Sequence, residues 1–417
     1  TNLSTSAINI SGGTLENTVL NNSAMAILAN GGTINISGSA QIKGGYYSVQ
    51  TGSTAHMTMT GGTISGFGRR GVYVTAGSTF EMKGGTISGD SSITGASSQG
   101  IQCVGLYAGA NQTATFTMTS GTITATKGGS SYNAWGVMHN GGSSTGKTIV
   151  NISGGSIFGA TSALTYATNS LECRTNISGG TLKANGTTIF VNQKKDVPII
   201  ITGGHIESTG TYAMNVYGSA TITGGTLKAN YGIAVGDVTG SVITLGGDAS
   251  IETKGTGYYA LGVTVTNAKN ITFKIASTKV KINGYISWRN SATELNIIDC
   301  TEVTGEFENV IPISVGGAAD GTAFAKFATA ALAKANMKKV TISQVSGKIA
   351  YADGEYLKLG GANQWKIAYN LDGGAVNGTN PTAYTTKNTN QTITLIAPTK
   401  AGYTFTGWHV SWTDENV

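Results

Sequence analysis

Cysteine, proline and charge are all scarce in this chain. Its 417 residues include 3 Cys and 4 Pro, and Asp, Glu, Lys and Arg together make up 11%, less than half of the usual share of about a quarter. Cys103, Cys173 and Cys300 are an odd set without Cys-x-x-Cys or Cys/His spacing, so neither a disulfide framework nor a zinc site is indicated. They read as small buried apolar side chains. Few prolines beside 62 glycines argue against a Pro/Gly-rich disordered chain. There is no run of 18 apolar residues, so no membrane insertion by a helix is expected. No charged n-region precedes an apolar core, and the segment reads as a mature or trimmed piece of something larger. The net charge of +6 is spread thinly. Its densest basic pairs, Arg69-Arg70 and Lys338-Lys339, are expected to be solvated, and nucleic acid is not an expected partner.

What the chain has is a returning phrase: an apolar residue, a small polar one, a Gly pair, Thr or Ser, then Ile or Leu. It stands at Ile10 to Leu15, Met59 to Ile64 and Ile201 to Ile206. The pairs begin at Gly12, Gly31, Gly61, Gly84, Ser120, Gly154, Gly179, Gly203, Gly224 and Gly246, at intervals of 19 to 36 residues, the size of one solenoid coil with variable loops. Two residues before the pair stand Met59, Met82, Met118, Ile152, Ile177, Ile201, Ile222 and Leu245. Two after it stand Ile64, Ile87, Ile123, Ile157, Leu182, Ile206 and Leu227. Strand alternation turns both sets inward as apolar stacks, and the Gly pair turns the corner between them. A third strand completes each coil, as at Gly71 to Val74 and Gly136 to His139. The expected fold is all-β: a right-handed parallel β-helix solenoid over residues 1–305.

Outward positions then become readable. Lys183, Glu207, Lys228 and Glu252 on successive coils predict a charge ladder worth roughly 0.2–1 kcal/mol per rung. The third strand's outer column is expected to run Ser48, Tyr73, Tyr107, Met138, Thr165, Phe190, Asn215, Ala234 and Gly262. Tyr73, Tyr107, Met138 and Phe190 are the candidate binding residues, because an exposed strip of this kind suits a ligand. Alternatively, loops such as Thr124 to Ala134 or Ser88 to Gly100 fold down over it.

Beyond residue 305 the phrase stops. An Ala-rich stretch, Ala323 to Ala335, carries Phe324, Phe327, Ala331 and Leu332 at helical spacing, with Asp320 as a possible cap, and predicts one helix. Strands around a turn at Asp353-Gly354 follow. Residues 306–366 thus read as an α/β cap or spacer that covers the solenoid end. The tail, residues 367–417, carries Tyr369-Asn370-Leu371-Asp372-Gly373-Gly374 and later Pro398-Thr399-Lys400-Ala401-Gly402-Tyr403-Thr404-Phe405-Thr406-Gly407-Trp408. These motifs resemble the Listeria-Bacteroides (internalin B-type) repeat. That resemblance implies a β-grasp-like module on a secreted or surface-attached bacterial protein, here in a single, truncated copy. More loosely, the repeat region resembles the pectin-lyase-like β-helices of bacterial adhesins.

β-Helix enzymes that act on acidic polysaccharides need paired carboxylates, or carboxylates holding a cation beside a base. Across residues 1–300 no Asp-Asp or Asp-x-Asp cluster occurs. The weak catalytic candidates are His205 and Glu207, flanked by Lys183 and Lys228, although the charge ladder accounts for Glu207 more simply. His139 reads as a ring near the core edge. No metal-ligand spacing and no phosphate loop is found, so no cofactor is expected. The sequence favours an extracellular adhesin-like protein that recognises a glycan or a partner protein through one face. A polysaccharide lyase or glycoside hydrolase is the alternative.

Overall fold

Alternation and the Gly pair together build the described coils. Lys147–Ile152 precedes the pair Gly154-Gly155, Ser156–Gly159 follows it, and Ser162–Tyr166 forms the third strand. The next coil repeats this with Glu172–Ile177, Thr181–Ala184 and Ile189–Asn192. The structure, a computed structural model, describes residues 6–21, 24–93, 100–167, 172–192, 197–236, 238–264, 269–288, 294–345, 347–361, 365–366, 369–380, 383–384 and 394–409. Among these, the strands before and after the pairs join one 23-stranded sheet, and the third strands form a 13-stranded sheet. Every pairing between successive coils is parallel up to Val340–Ser343, which fits a parallel β-helix solenoid.

The two expected stacks fill the interior. Met59, Met82, Met118, Ile152, Ile177, Ile201, Ile222 and Leu245 pair coil to coil. Ile64 through Leu227 do the same. All are at most 1% exposed, and such burial contributes roughly 1.5–3 kcal/mol per side chain. Phe80 and Phe116 stack with ring centroids 5.1 Å apart. The two glycines of a pair do different work. A Cβ on Gly179 would stand 2.3 Å from the carbonyl oxygen of Ser153 on the coil before, whereas Gly180 has φ +79°. The first glycine permits close approach and the second permits the turn.

Gly31 departs from the expected series. The pair Gly31-Gly32 lies between the third strand Met25–Ala29 and the next coil's Thr33–Ile36. The corresponding corner in that coil is taken by Gly38, with φ +54°, and a Cβ on Gly61 would stand 2.9 Å from Gly38 N. Gly31 is thus a second kind of corner with the same local chemistry.

Two further expectations are corrected. Ala323–Phe327 is a strand, paired in parallel with Ile298–Cys300. Only Ala330–Asn336 is helical, capped by Thr329, whose Oγ1 accepts from Leu332 N at 3.2 Å. Pairing along an open sheet edge, with Phe324 and Phe327 fully buried, outweighs the helix propensity of alanine. Asp320 pairs with Lys348 rather than capping the helix. Lys348–Asp353 and Tyr356–Gly361 form the predicted hairpin, and Tyr356–Gly361 pairs antiparallel with Ala323–Phe327, which ends the parallel ladder. In the tail, Ala375–Val376 pairs with Pro398–Thr399, and Trp408 lies 5.5 Å from Tyr369 and 5.4 Å from Phe405.

Arg69 and Arg70, expected on the surface, are 7% and 8% exposed. Arg69 Nη1 donates to Gly100 O at 2.8 Å, and burial, then the neighbouring Arg70, pushes its pKa down. Arg70 Nε donates to Gln102 Oε1 at 2.9 Å and Nη2 to Asn140 Oδ1 at 3.2 Å. Its guanidinium lies over the rings of Tyr73 and Tyr47 at 4.2 and 5.1 Å. His139 lies deep in the core rather than near its edge. Its Nδ1 is 2.7 Å from Thr148 Oγ1, its Nε2 is 3.0 Å from Thr175 Oγ1, and Tyr166 stacks on it at 4.4 Å.

Candidate functional site

The outer face of the 13-stranded sheet is set by an irregularity at the start of third strands such as Ala134–Gly142 and Tyr231–Val235. Two successive residues point inward there. A Cβ on Gly136 would stand 2.5 Å from Ile157 Cγ2, and one on Gly232 2.5 Å from Ile251 Cγ2, while the following Val137 and Ile233 are fully buried. Strict alternation would have sent Trp135 and Tyr231 inward. The irregularity turns them out.

The outer column that results runs Gln50, Tyr73, Gly105, Met138, Thr165, Phe190, Asn215, Ala234 and Gly262. Two expected members are displaced. Ser48 is fully buried, its hydroxyl donating to Gly44 O at 2.7 Å. Tyr107 pairs with Thr75 and Gly141, two residues beyond the column, and is 41% exposed. Gly105 takes its place in the register, and Gln102, Asn140 and Arg70 fill the space a side chain there would need.

Of the four candidate binding residues, Phe190 lines an open groove of about 970 Å³. Met138, next to Thr165 in the column, is 8% exposed, and Tyr73 lies under Arg70 with its hydroxyl pKa raised by burial. The groove follows the corner between the two sheets. Its aromatic walls are Trp135, Phe158 and Phe190, and Lys127, Asn185 and Thr187 bring polar groups. On its floor, Thr165 Oγ1 and Asn215 Oδ1 are buried without a hydrogen-bond partner, one coil to either side of Phe190. Unpaired buried polar atoms cost roughly 1–3 kcal/mol each. Of the two loops expected to fold over this face, Thr124 to Ala134 contributes Thr126 and Lys127 to the lining, and residues 94–99 of Ser88 to Gly100 lie outside the described residues. Trp135, Phe158, Thr165 and Asn215 were not among the candidates; an outer Phe190 flanked by Thr165 and Asn215 on the adjoining coils was the available signal.

His205 and Glu207 lie outside this lining, on the 23-stranded sheet. Lys183, Glu207, Lys228 and Glu252 do share one column. Lys183 Nζ is 2.8 Å from Glu207 Oε2, and His205 Nε2 is 3.3 Å from the same oxygen. The hydrogen bond from Lys183, then that from His205, holds the Glu207 carboxyl below its ordinary range. A carboxylate held ionised in this way is suited to an ion pair rather than to proton donation. Among the described residues no group of three or more His, Cys, Asp or Glu is placed to hold a metal.

Compared with protein-family models, with curated proteins and with solved structures, the chain matches none of them.

Proposed function

We propose that this chain is a secreted or cell-surface bacterial protein, an adhesin-like stalk on a right-handed parallel β-helix, that recognises a glycan in the groove of its 13-stranded sheet. The observation that carries this reading is the combination at Phe190. An aromatic face stands in a groove whose accessible polar groups come from Lys127, Asn185 and Thr187. A sugar ring has apolar C–H faces that stack on an aromatic and an equatorial belt of hydroxyls that pair with such groups. Trp135 and Phe158 supply further walls. The scarcity of charge and the Asp372-Gly373-Gly374 and Gly402 to Trp408 motifs of the Listeria-Bacteroides-like tail support the extracellular placement.

A glycan array probed with the whole chain, beside the variants Phe190→Ala and Asn215→Ala, tests this. The reading predicts a restricted set of bound glycans and at least a tenfold weaker signal for both variants. Binding that both variants leave unchanged refutes the groove. Release of reducing or unsaturated products from the bound glycan would replace recognition with the polysaccharide-acting enzyme as the function.

A further inference from the structure

Beyond the groove the same outer face carries a cluster of tyrosines. Tyr212, Tyr231, Tyr258, Tyr259 and Tyr285 stand on four successive coils, and each is partly exposed. Their ring centroids lie 4.6 Å apart for Tyr231 and Tyr259, 5.0 Å for Tyr231 and Tyr258, 5.9 Å for Tyr212 and Tyr231, and 6.4 Å for Tyr212 and Tyr259. The column beside them holds the small residues Ala234 and Gly262. A Cβ on Gly262 would stand 2.8 Å from the Tyr259 ring, so that ring lies down on the bare backbone of residue 262. Tyr217 covers Gly236 in the same way, 2.4 Å from a Cβ there. The Tyr259 ring in turn packs against Tyr231 and Tyr212, so the cluster presents its surface through several partly exposed rings. A contiguous, partly exposed aromatic surface often marks a contact site.

This surface is continuous with the groove. Asn215 belongs to the groove floor, pairs with Ala234, and shares its strand with Tyr212. From Phe190 to Tyr285 is four coil steps, roughly 19 Å, and from Trp135 six steps, roughly 29 Å, at about 4.8 Å per coil.

We propose that the ligand is an extended polysaccharide lying along the coil axis, with an internal segment in the groove and the adjoining sugar units on the tyrosine platform. This rests on the glycan reading of the groove and adds the ligand's class: a linear, ribbon-like chain rather than a terminal mono- or disaccharide. A small glycan fills one zone. A chain that spans both makes the second contact intramolecular and so gains affinity without a new kind of interaction.

Calorimetric titration of the whole chain with cello- and chito-oligosaccharides, from disaccharide to octasaccharide, provides the test. For at least one series, affinity is expected to climb about 100-fold from the shortest ligand that binds to the longest. The Tyr231→Ala/Tyr259→Ala double variant should abolish that climb and leave the short ligand unchanged, whereas Phe190→Ala should weaken every length. Affinity independent of length in the unaltered protein overturns the proposal, whether or not the double variant folds. A climb that the folded double variant retains also overturns it. In both cases Phe190-dependent binding of short ligands leaves the glycan reading standing. Failure of every length in both series to bind overturns the proposal and the reading beneath it.

Discussion

Arg70 lies across the backbone of Gly105. A Cβ at residue 105 would stand 2.9 Å from Arg70 Cδ, 2.6 Å from Asn140 Nδ2 and 2.5 Å from Gln102 Oε1. The guanidinium thereby links Tyr47 and Tyr73 to Gln102 and Asn140 across successive coils. Gly105→Ala is expected to displace this side chain at a cost of roughly 1–3 kcal/mol. Part of that loss should vanish in an Arg70→Ala background, where Gln102 and Asn140 are no longer held by the guanidinium and can move aside. A double-mutant cycle by chemical denaturation reads the coupling, and additive losses would show that the two residues do not share the space.

His139 ties the interior to pH. Its complete burial pushes the imidazole pKa down to about 3, whereas an unfolded chain takes up that proton near pH 6.5. Because the unfolded state binds the extra proton, stability is fully present above about pH 6.5 and is lost as pH falls toward 3. His139→Gln, which retains a polar group beside Thr148 and Thr175, should flatten the fall in melting temperature between pH 7 and pH 4 relative to the unaltered chain. Parallel profiles for the two proteins would contradict this role.

The thiols should be silent. Burial pushes Cys103 up to about 12 and Cys173 up to about 11, and raises Cys300 as well, and all three are free and buried. A thiolate-selective reagent at pH 8 is therefore expected to modify none of them in the native protein and all three in denaturant. Rapid native labelling of any one would place that cysteine in a different environment.

Glu207 offers a contrast in magnitude. Its pair with Lys183 is exposed, with the lysine side chain 50% accessible, so Glu207→Gln should change stability by less than about 1 kcal/mol. It should leave glycan binding untouched, since Glu207 is not part of the groove lining. A large loss of either quantity in this variant would return the charge ladder to functional consideration.

The sequence disclosed the interior more fully than the surface, and for a physical reason. Ile, Leu and Met at fixed distances from a Gly pair report a strict period, and every member of the two stacks from Met59 to Leu245 and from Ile64 to Leu227 is buried as expected. Gly31 imitated that period because two different corners demand the same residue. The outer face was harder. Its register depends on paired inward residues such as Gly136 with Val137 and Gly232 with Ile233, which shift Trp135 and Tyr231 outward against the rule of two. Tyr107 was misaligned with Tyr73 because Gly105 looks like the counterpart of Gly71, whereas the ladder pairs Val104 with Val72 and Gly105 with Tyr73. Arg69 and Arg70 seemed surface charges in composition alone. No linear pattern announces that Gln102, Asn140 and two tyrosine rings converge on a guanidinium. Phe190 was legible as an outer aromatic, but the groove around it comes from Trp135, Phe158, Thr165 and Asn215 on three other coils, which only the coil register brings together.

The most direct measurement is hydroxyl-radical footprinting of the whole chain with and without the strongest glycan from the array. The account predicts protection of Trp135, Phe158 and Phe190, with Tyr107 and His205 unaffected. Protection centred on His205 and the longer sheet, with Trp135 and Phe190 as reactive as in the free protein, would contradict it.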